Sequence, residues 1–220
     1  MGVNGGPHTT QQGLVFAAES PSFRSYPETG TVWNDISQIH HNTSIPSGAW
    51  TDSYNGYMNY TSDQTSITPP NEWKGAENLT IEMWYRPATN GIYTSCCDTI
   101  FGRYDFRFFQ IGASLYTMIS FTNADGGRYY QHPAYTVAYD QWHHVVGARR
   151  DNSFIIWIDG VEKHNSTFGS GLPLYDVGST WYISTTRQTN VDFASLRVYD
   201  RGLTDSEILG NYNARKNLYR

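Results

Sequence analysis

Gln141–His164 reads QWHHVVGARRDNSFIIWIDGVEKH, and this stretch decides the fold. Two runs rich in β-branched and aromatic residues flank Arg150-Asp151-Asn152-Ser153, and a third run follows Asp159-Gly160. Asp-Gly between apolar runs marks a tight hairpin, because glycine accepts the positive φ that such turns require. Three successive antiparallel strands are therefore expected here. On the N-terminal side, LTIEMWYRP (Leu79–Pro87) alternates Leu79, Ile81, Met83 and Tyr85 against Thr80, Glu82, Trp84 and Arg86. A period of two sends alternate residues to opposite faces, the pattern of a half-buried strand. TIFGRYDFRFFQIG and LYTMISFTN follow as further strands with a tight turn between them, and TWYIST and FASLRVYD supply the last two. Near the start, GLVFAA (Gly13–Ala18) is a short apolar run bounded by Gly and Ser-Pro, which suits a buried strand. Ser20 to about Asn55, broken by Pro27, Gly30, Pro46 and Gly48, reads as surface loop carrying short strands.

Helical periodicity is confined to the end of the chain. In TDSEILGNYNARK, Thr204 is the expected N-cap and Glu207 stands three residues on, a capping box that satisfies free backbone N–H groups reciprocally. Ile208, Leu209 and Tyr212 are the expected apolar stripe of a short helix, about 204–214, lying on the sandwich edge. Many short strands with one terminal helix give an all-β class: a two-sheet antiparallel jelly-roll sandwich in a single domain over 13–220, preceded by a Gly-rich arm over 1–12.

Composition agrees with this class and excludes others. The chain has 220 residues, 17 Tyr and 7 Trp, and flat rings suit pleated surfaces and grooves. A net charge of −5 offers no basic stripe for phosphates, so no nucleic-acid partner is expected. No run of eighteen apolar residues occurs, so no membrane span is expected. The opening MGVNGGPHTTQQG lacks a cationic segment followed by an apolar run, so secretion by a signal peptide is not expected. Four glycosylation sequons start at Asn42, Asn59, Asn78 and Asn165, and without secretion they are chance matches in an Asn/Ser/Thr-rich surface. Cys96 and Cys97 are adjacent, a spacing that strains a disulfide, and they lack a second pair at zinc spacing.

WHHVVGARRDNSFIIWIDGVE, then WYIST, then FASLRVYDRGLTDSEILGNYN resembles the C-terminal half of laminin-G-like domains of the concanavalin-A-like jelly-roll superfamily. GLVF, RSYPETGTVWNDIS and LTIEMWYRP resemble the opening strand, loop and central strand of the same family, so the likeness runs from about 13 to 213. With SYPETGTVWNDIS, a preceding GGP arm and a terminal NYNARK, the chain looks like the form found in virion proteins of tailed bacteriophages. That resemblance implies assembly in a host cytoplasm, a place on the virion and several copies per particle or a homo-oligomer. It also implies capsid or tail proteins as partners, with Val3, Pro7 and His8 as contact residues of the arm.

One segment departs from the family. Where many relatives carry an acidic stretch after the second strand, this chain has YTSDQTSI (Tyr60–Ile67). Calcium takes several oxygen ligands, and Glu19 and Asp63 are the carboxylates left as candidates to hold it. No cofactor is required by any motif.

Catalysis finds little support. Glycoside hydrolases need two carboxylates about 5 Å apart for retention. Glu82 stands alone on its strand, with Thr80 and Trp84 beside it, and reads as a solvent-facing residue of a half-exposed sheet. His143 and His144 point to opposite faces and cannot ligate one metal together. His40 and His41 lie in irregular chain without visible partners. For binding, TNADGGRYYQHPAY places Asp125, Arg128, Tyr129, Tyr130 and His132 in a loop where a sugar can stack on a ring and pair its hydroxyls. The same residues suit a protein contact. The expected function is a non-enzymatic virion surface or decoration protein of a phage with a lectin-like face. A carbohydrate-binding adhesin is the alternative, and a glycoside hydrolase stands further behind.

Overall fold

The computed structural model describes residues 9–60, 65–67, 73, 77–89, 98–102, 106–122, 128–131, 133–168, 181–183 and 191–219. In chain order the strands begin with β1 (Leu14–Glu19), β2 (Val32–Trp33), β3 (Thr43–Ser44), β4 (Trp50–Thr51), β5 (Tyr57–Tyr60) and β6 (Thr65–Ile67). Next come β7 (Leu79–Pro87), β8 (Asp98–Gly102), β9 (Phe106–Ile111), β10 (Ser114–Thr122), β11 (Arg128–Gln131) and β12 (Ala134–Thr136). The last are β13 (His143–Arg150), β14 (Ser153–Ile158), β15 (Val161–Thr167), β16 (Trp181–Ile183) and β17 (Val191–Tyr199), followed by helix α1 (Asp205–Arg215).

Two antiparallel sheets form the sandwich. One runs β15-β14-β13-β7-β17-β5-β4, with β1 added beside β17; the other runs β11-β10-β9-β8-β16-β6, with β12 beside β10. The expected hairpin is present: β14 turns into β15 through Asp159 and Gly160, both at positive φ (52° and 77°). Between the sheets, Leu79, Ile81, Met83 and Tyr85 of β7 pack with Phe106 and Phe108 of β9, Leu115 and Ile119 of β10, and Trp181 and Ile183 of β16. At Gly147 a Cβ would lie 2.9 Å from ring carbons of Phe106, so glycine is what lets the sheets approach there.

Leu79–Pro87 is buried on both faces, not one. It lies between β13 and β17 in the middle of its sheet, and its outward residues are covered by the C-terminal segment. There Tyr57, Trp84, Ala194 and Tyr219 form a second apolar cluster, and Val146, Tyr199, Leu203 and Ile208 a third. Thus α1 lies on the face of the larger sheet, not at the edge of the sandwich. The stripe differs from the expected one for the same reason: Ile208 and Asn211 are buried, whereas Leu209 is 41% exposed.

The capping box is formed as the sequence predicts, with Glu207 N–H donating to Thr204 Oγ1 at 3.3 Å and Thr204 N–H donating to Glu207 Oε2 at 2.9 Å. Thr204→Ala is expected to cost about 0.5–2 kcal/mol of stability, read as a lowered Tm in thermal denaturation. The described end of the arm is tied to its own chain. Thr10 N–H donates to Asn211 Oδ1 at 2.7 Å, and Arg201 Nε donates to the Gln12 carbonyl at 3.0 Å.

Candidate functional site

Four distant segments meet on the outer face of the larger sheet around an open cleft of about 450 Å³. They are the turn Ser53–Asn55, the chain entering β13, the Asp159-Gly160 hairpin, and α1 with the turn after it. The volume falls within the range of about 300–1,000 Å³ typical of ligand pockets.

Aromatic rings make one part of the wall. Tyr212 stacks on Trp84 at 5.9 Å with planes 9° apart, and Tyr219 sits 4.8 Å from Trp84 and 5.3 Å from Trp142. The hairpin glycine matters here, since a Cβ on Gly160 would stand 2.6 Å from the Tyr212 ring. The tail bearing Tyr219 is pinned where Asn55 Nδ2 donates to the Leu218 carbonyl at 2.9 Å. At the mouth, Tyr54 is 47% exposed and sits 6.2 Å from Trp142. Arg86 lies beneath these rings, 5.1 Å from Tyr54, 5.1 Å from Tyr57 and 5.6 Å from Trp142, and is paired to Asp192 at 2.6 Å. Guanidinium and ring faces attract, so this half-buried cation fixes the rings it touches.

Tyr54 has φ 52° and is followed by Asn55 at 64° and Gly56 at 95°. A bulky residue in the left-handed region costs roughly 1–2 kcal/mol. Strain of this kind concentrates where a side chain must be held in a set place for function. Asn tolerates that conformation, so Tyr54→Asn is expected to fold with stability within about 1 kcal/mol of the parent by denaturant titration, although the exposed ring is gone.

Polar groups line one side. Asp159 Oδ2 accepts from His143 Nδ1 at 2.8 Å, and its Oδ1 accepts from His144 N–H at 2.9 Å. His143 Nε2 lies 2.9 Å from the Ala138 carbonyl. Burial lowers the His143 pKa, but the bond and charge of Asp159 and the Ala138 carbonyl outweigh it and raise the pKa above the usual histidine value. Asp140 accepts from the Thr89 hydroxyl, and Lys216 Nζ donates to Asn213 Oδ1 at 2.7 Å.

Beneath the cleft runs a buried charge network. Glu82, 1% exposed, accepts from Arg197 Nη1 at 3.3 Å and Asn211 Nδ2 at 2.6 Å, and lies 3.4 Å from His144 Nε2. Arg197 also pairs with Glu19, whose other oxygen pairs with Arg215. Glu82 is therefore not the solvent-facing residue the alternation suggests, because α1 covers it. Burial pushes its pKa up, yet the His144 bond and charge, the Arg197 charge and the Asn211 bond hold it at about 2. Covered by α1 and held ionised by these partners, Glu82 does not fit the role of general acid in glycoside hydrolysis. Nor do the described residues place a second carboxylate on β7 beside it.

The other residues singled out in the sequence fall elsewhere. Arg128, Tyr129 and Tyr130 belong to β11, an edge strand paired to β10 with Tyr129 opposite Phe121, rather than to a loop. Asp125, His132, Asp63, Val3, Pro7, His8, Cys96 and Cys97 lie outside the described residues. The two Glu19 oxygens face the guanidinium groups of Arg197 and Arg215, which repel a divalent cation, so Glu19 does not fit a calcium ligand set. Among the described residues no three His, Cys, Asp or Glu are grouped to hold a metal, and no helix is long and apolar enough to cross a membrane.

The cleft itself has no linear signature, since Tyr54, Trp84, Trp142 and the Tyr212–Tyr219 pair come from separate segments. The nearest signal is Tyr54-Asn55-Gly56, an Asn-Gly turn carrying an aromatic.

Comparison with solved structures finds the same fold in several toxin binding domains. The binding domain of Paraclostridial mosquitocidal protein 1 superposes with TM-score 0.72 at 14% identity, covering 93% of this chain and 53% of that one. The binding domain of botulinum neurotoxin serotype D gives TM-score 0.71 at 10% identity, covering 92% and 51%. That of botulinum neurotoxin DC, solved in complex with SialylT, gives 0.67 at 13%, covering 93% and 52%. The chain thus spans about half the length of these solved chains, and at such identities the likeness is one of fold. No curated protein sequence matches significantly. The family model described as the concanavalin A-like lectin/glucanases superfamily, of laminin-G type, matches residues 59–209, well over half of the chain, and the protein belongs to that family.

Proposed function

We propose that this chain is a non-catalytic, carbohydrate-binding jelly roll displayed on the surface of a phage particle. The observation that carries the binding role is the cleft: exposed Tyr54 and half-buried Trp142 offer ring faces for the apolar side of a sugar. Asp140, Gln141 and Asp159 stand nearby for its hydroxyls. Glu82, buried and ionised, supports the absence of hydrolysis. The particle setting rests on the likeness of the Gly-rich arm and SYPETGTVWNDIS to phage virion proteins. Attachment would then use the arm and neighbouring capsid or tail proteins, leaving the lectin-like face outward.

A glycan-array screen of the purified chain, followed by calorimetric titration of the bound glycans, tests the binding role. Tyr54→Asn is expected to weaken binding at least tenfold while melting normally. A folded parent chain that retains no glycan overturns the reading. Cryo-electron microscopy of purified particles tests the setting, since the chain must appear there in contact with other virion proteins.

A further inference from the structure

We infer that His143 is a positioning residue that works as a proton-operated clamp on the cleft. Protonated, it holds the chain entering β13 to the β14–β15 hairpin; deprotonated, it loosens that wall and weakens the hold on the sugar. This rests on the carbohydrate-binding reading above and concerns how the same site is controlled. The ring stands between two acceptors. Nδ1 lies 2.8 Å from Asp159 Oδ2, and Nε2 lies 2.9 Å from the Ala138 carbonyl. A neutral imidazole carries one N–H and serves one of them, whereas an imidazolium carries two and serves both. His143 is 7% exposed, so losing the second proton leaves a lone pair facing the carbonyl with little water to separate them.

The hairpin is the side that stays. Asp159 Oδ1 accepts from the His144 N–H at 2.9 Å and Asp159 N–H donates to the His144 carbonyl at 2.9 Å, and neither bond involves the imidazole. A bond from Nδ1 to a carboxylate is also stronger than one from Nε2 to a carbonyl. The proton therefore leaves Nε2, and the Ala138 carbonyl is released. That bond closes the loop Ala138–His143, which carries Asp140, Gln141 and Trp142 into the cleft. Asp140 N–H donates to the Pro87 carbonyl at 2.7 Å and ties the loop a second time, so release resets the loop without freeing it. Other titratable and charged groups surround the ring. On β7, Tyr85 lies 6.2 Å away, and burial and the Asp159 charge push its pKa well up, so it stays neutral. On the loop, Asp140 accepts from Thr89. From α1 and the turn after it, Tyr212, Tyr219 and Lys216 line the same cleft, the Lys216 ammonium donating to Asn213 Oδ1 and lying 5.5 Å over the Tyr212 ring. Arg86, near Trp142, is paired to Asp192. At His143 itself burial lowers the pKa, but Asp159 and the Ala138 carbonyl raise it above the usual histidine value, which puts the release on the alkaline side of that value.

Two measurements on the full chain test the clamp. In the first, the ring nitrogens of isotope-labelled histidine and the Trp142 indole are followed by NMR through a pH titration without ligand. Both His143 nitrogens are expected to carry protons in acid, Nε2 to lose its proton as pH rises, and the Trp142 signal to move with the same midpoint. A single N–H at every pH, or a Trp142 signal that ignores the titration, overturns the clamp. In the second, the best-binding glycan of the array is titrated by calorimetry on both sides of that midpoint. Its Kd is expected to rise at least about threefold with pH, the scale of losing one hydrogen bond. Saturating glycan is expected to move the His143 midpoint to higher pH by the same factor, as linkage requires. His143→Gln, which does not titrate, is expected to give a flat Kd over that range. A slope that the variant keeps belongs to another group at the cleft and overturns the inference, as does a smaller change in the parent, while carbohydrate binding stands. If no glycan is retained, the carbohydrate reading falls, and the ligand-free titration alone decides whether the wall follows the proton.

Discussion

Arg197→Ala lowers the unfolding free energy by about 3–5 kcal/mol, the range for removing one partner of a buried ion pair. Arg197 is 1% exposed and stands between two carboxylates, Glu19 and Glu82, that are themselves buried. Deleting it leaves Glu82 with His144 and Asn211, and Glu19 with Arg215 alone. Arg197→Lys restores only part of the loss, because a single ammonium cannot fork between two carboxylates as a guanidinium does. The acid limb of stability carries the same signature. The folded pKa of Glu82 is about 2 against an ordinary 4.5, so the unfolded chain binds more protons between those values. Glu19 is shifted the same way: burial raises its pKa, and Arg197 and Arg215 outweigh that and lower it. Both contributions are complete above the unfolded carboxylate pKa and fade as pH falls toward the folded values. His143, whose pKa is raised, contributes with the opposite sign and loses its share as pH rises. Urea unfolding of parent and Arg197→Ala across acidic pH is the measurement. The variant is expected to lose less stability than the parent as pH falls below the unfolded carboxylate pKa, because its carboxylates are held less far below it, so that the two curves converge in acid; a change below about 1 kcal/mol at neutral pH would mean that water enters to serve the carboxylates.

How much of this was legible before the structure follows from which interactions are local. The hairpin at Asp159-Gly160 and the Thr204–Glu207 cap depend on residues a few positions apart, and both were read correctly. Burial of β7 on both faces was not, because period-two alternation reports where polar residues stand and cannot report what later covers them. Glu82 looked solvent-facing for that reason; its partners Arg197 and Asn211 are more than a hundred residues away. Leu209 was placed on the inner stripe by its hydrophobicity, whereas Asn211 takes the inner position because Glu82 and the Thr10 N–H need its amide. The cleft escaped the sequence most completely. The aromatic content of Arg128–Gln131 suggests a binding loop, yet this segment is an edge strand, while Tyr54, Trp142 and Tyr219 become neighbours only through the fold.

Tyr219→Ala is expected to cost about 3 kcal/mol and to weaken glycan binding more than tenfold, which ties the turn after α1 to the site. The Tyr219 ring, 4% exposed, fills the space between Trp84 and Trp142, so truncation leaves a cavity in the second apolar cluster. Large-to-small changes of buried aromatics typically cost about 3–5 kcal/mol. Trp142 then loses the ring that sets its inner side and shifts from its place beside Tyr54. Tyr219→Phe keeps the volume and is expected to stay within about 1 kcal/mol of the parent with affinity retained. The pair of variants separates two roles for the tail. If Tyr219→Ala melts early but still binds sugar with parental Kd at a temperature where it is folded, the tail only stabilises the domain and Tyr54 with Trp142 forms the whole platform. If stability and affinity fall together and the Phe variant restores both, the turn after α1 is part of the binding surface. The capping box and the Asn55 bond to Leu218 then act on recognition as well as on stability, because they determine where the Tyr219 ring comes to rest.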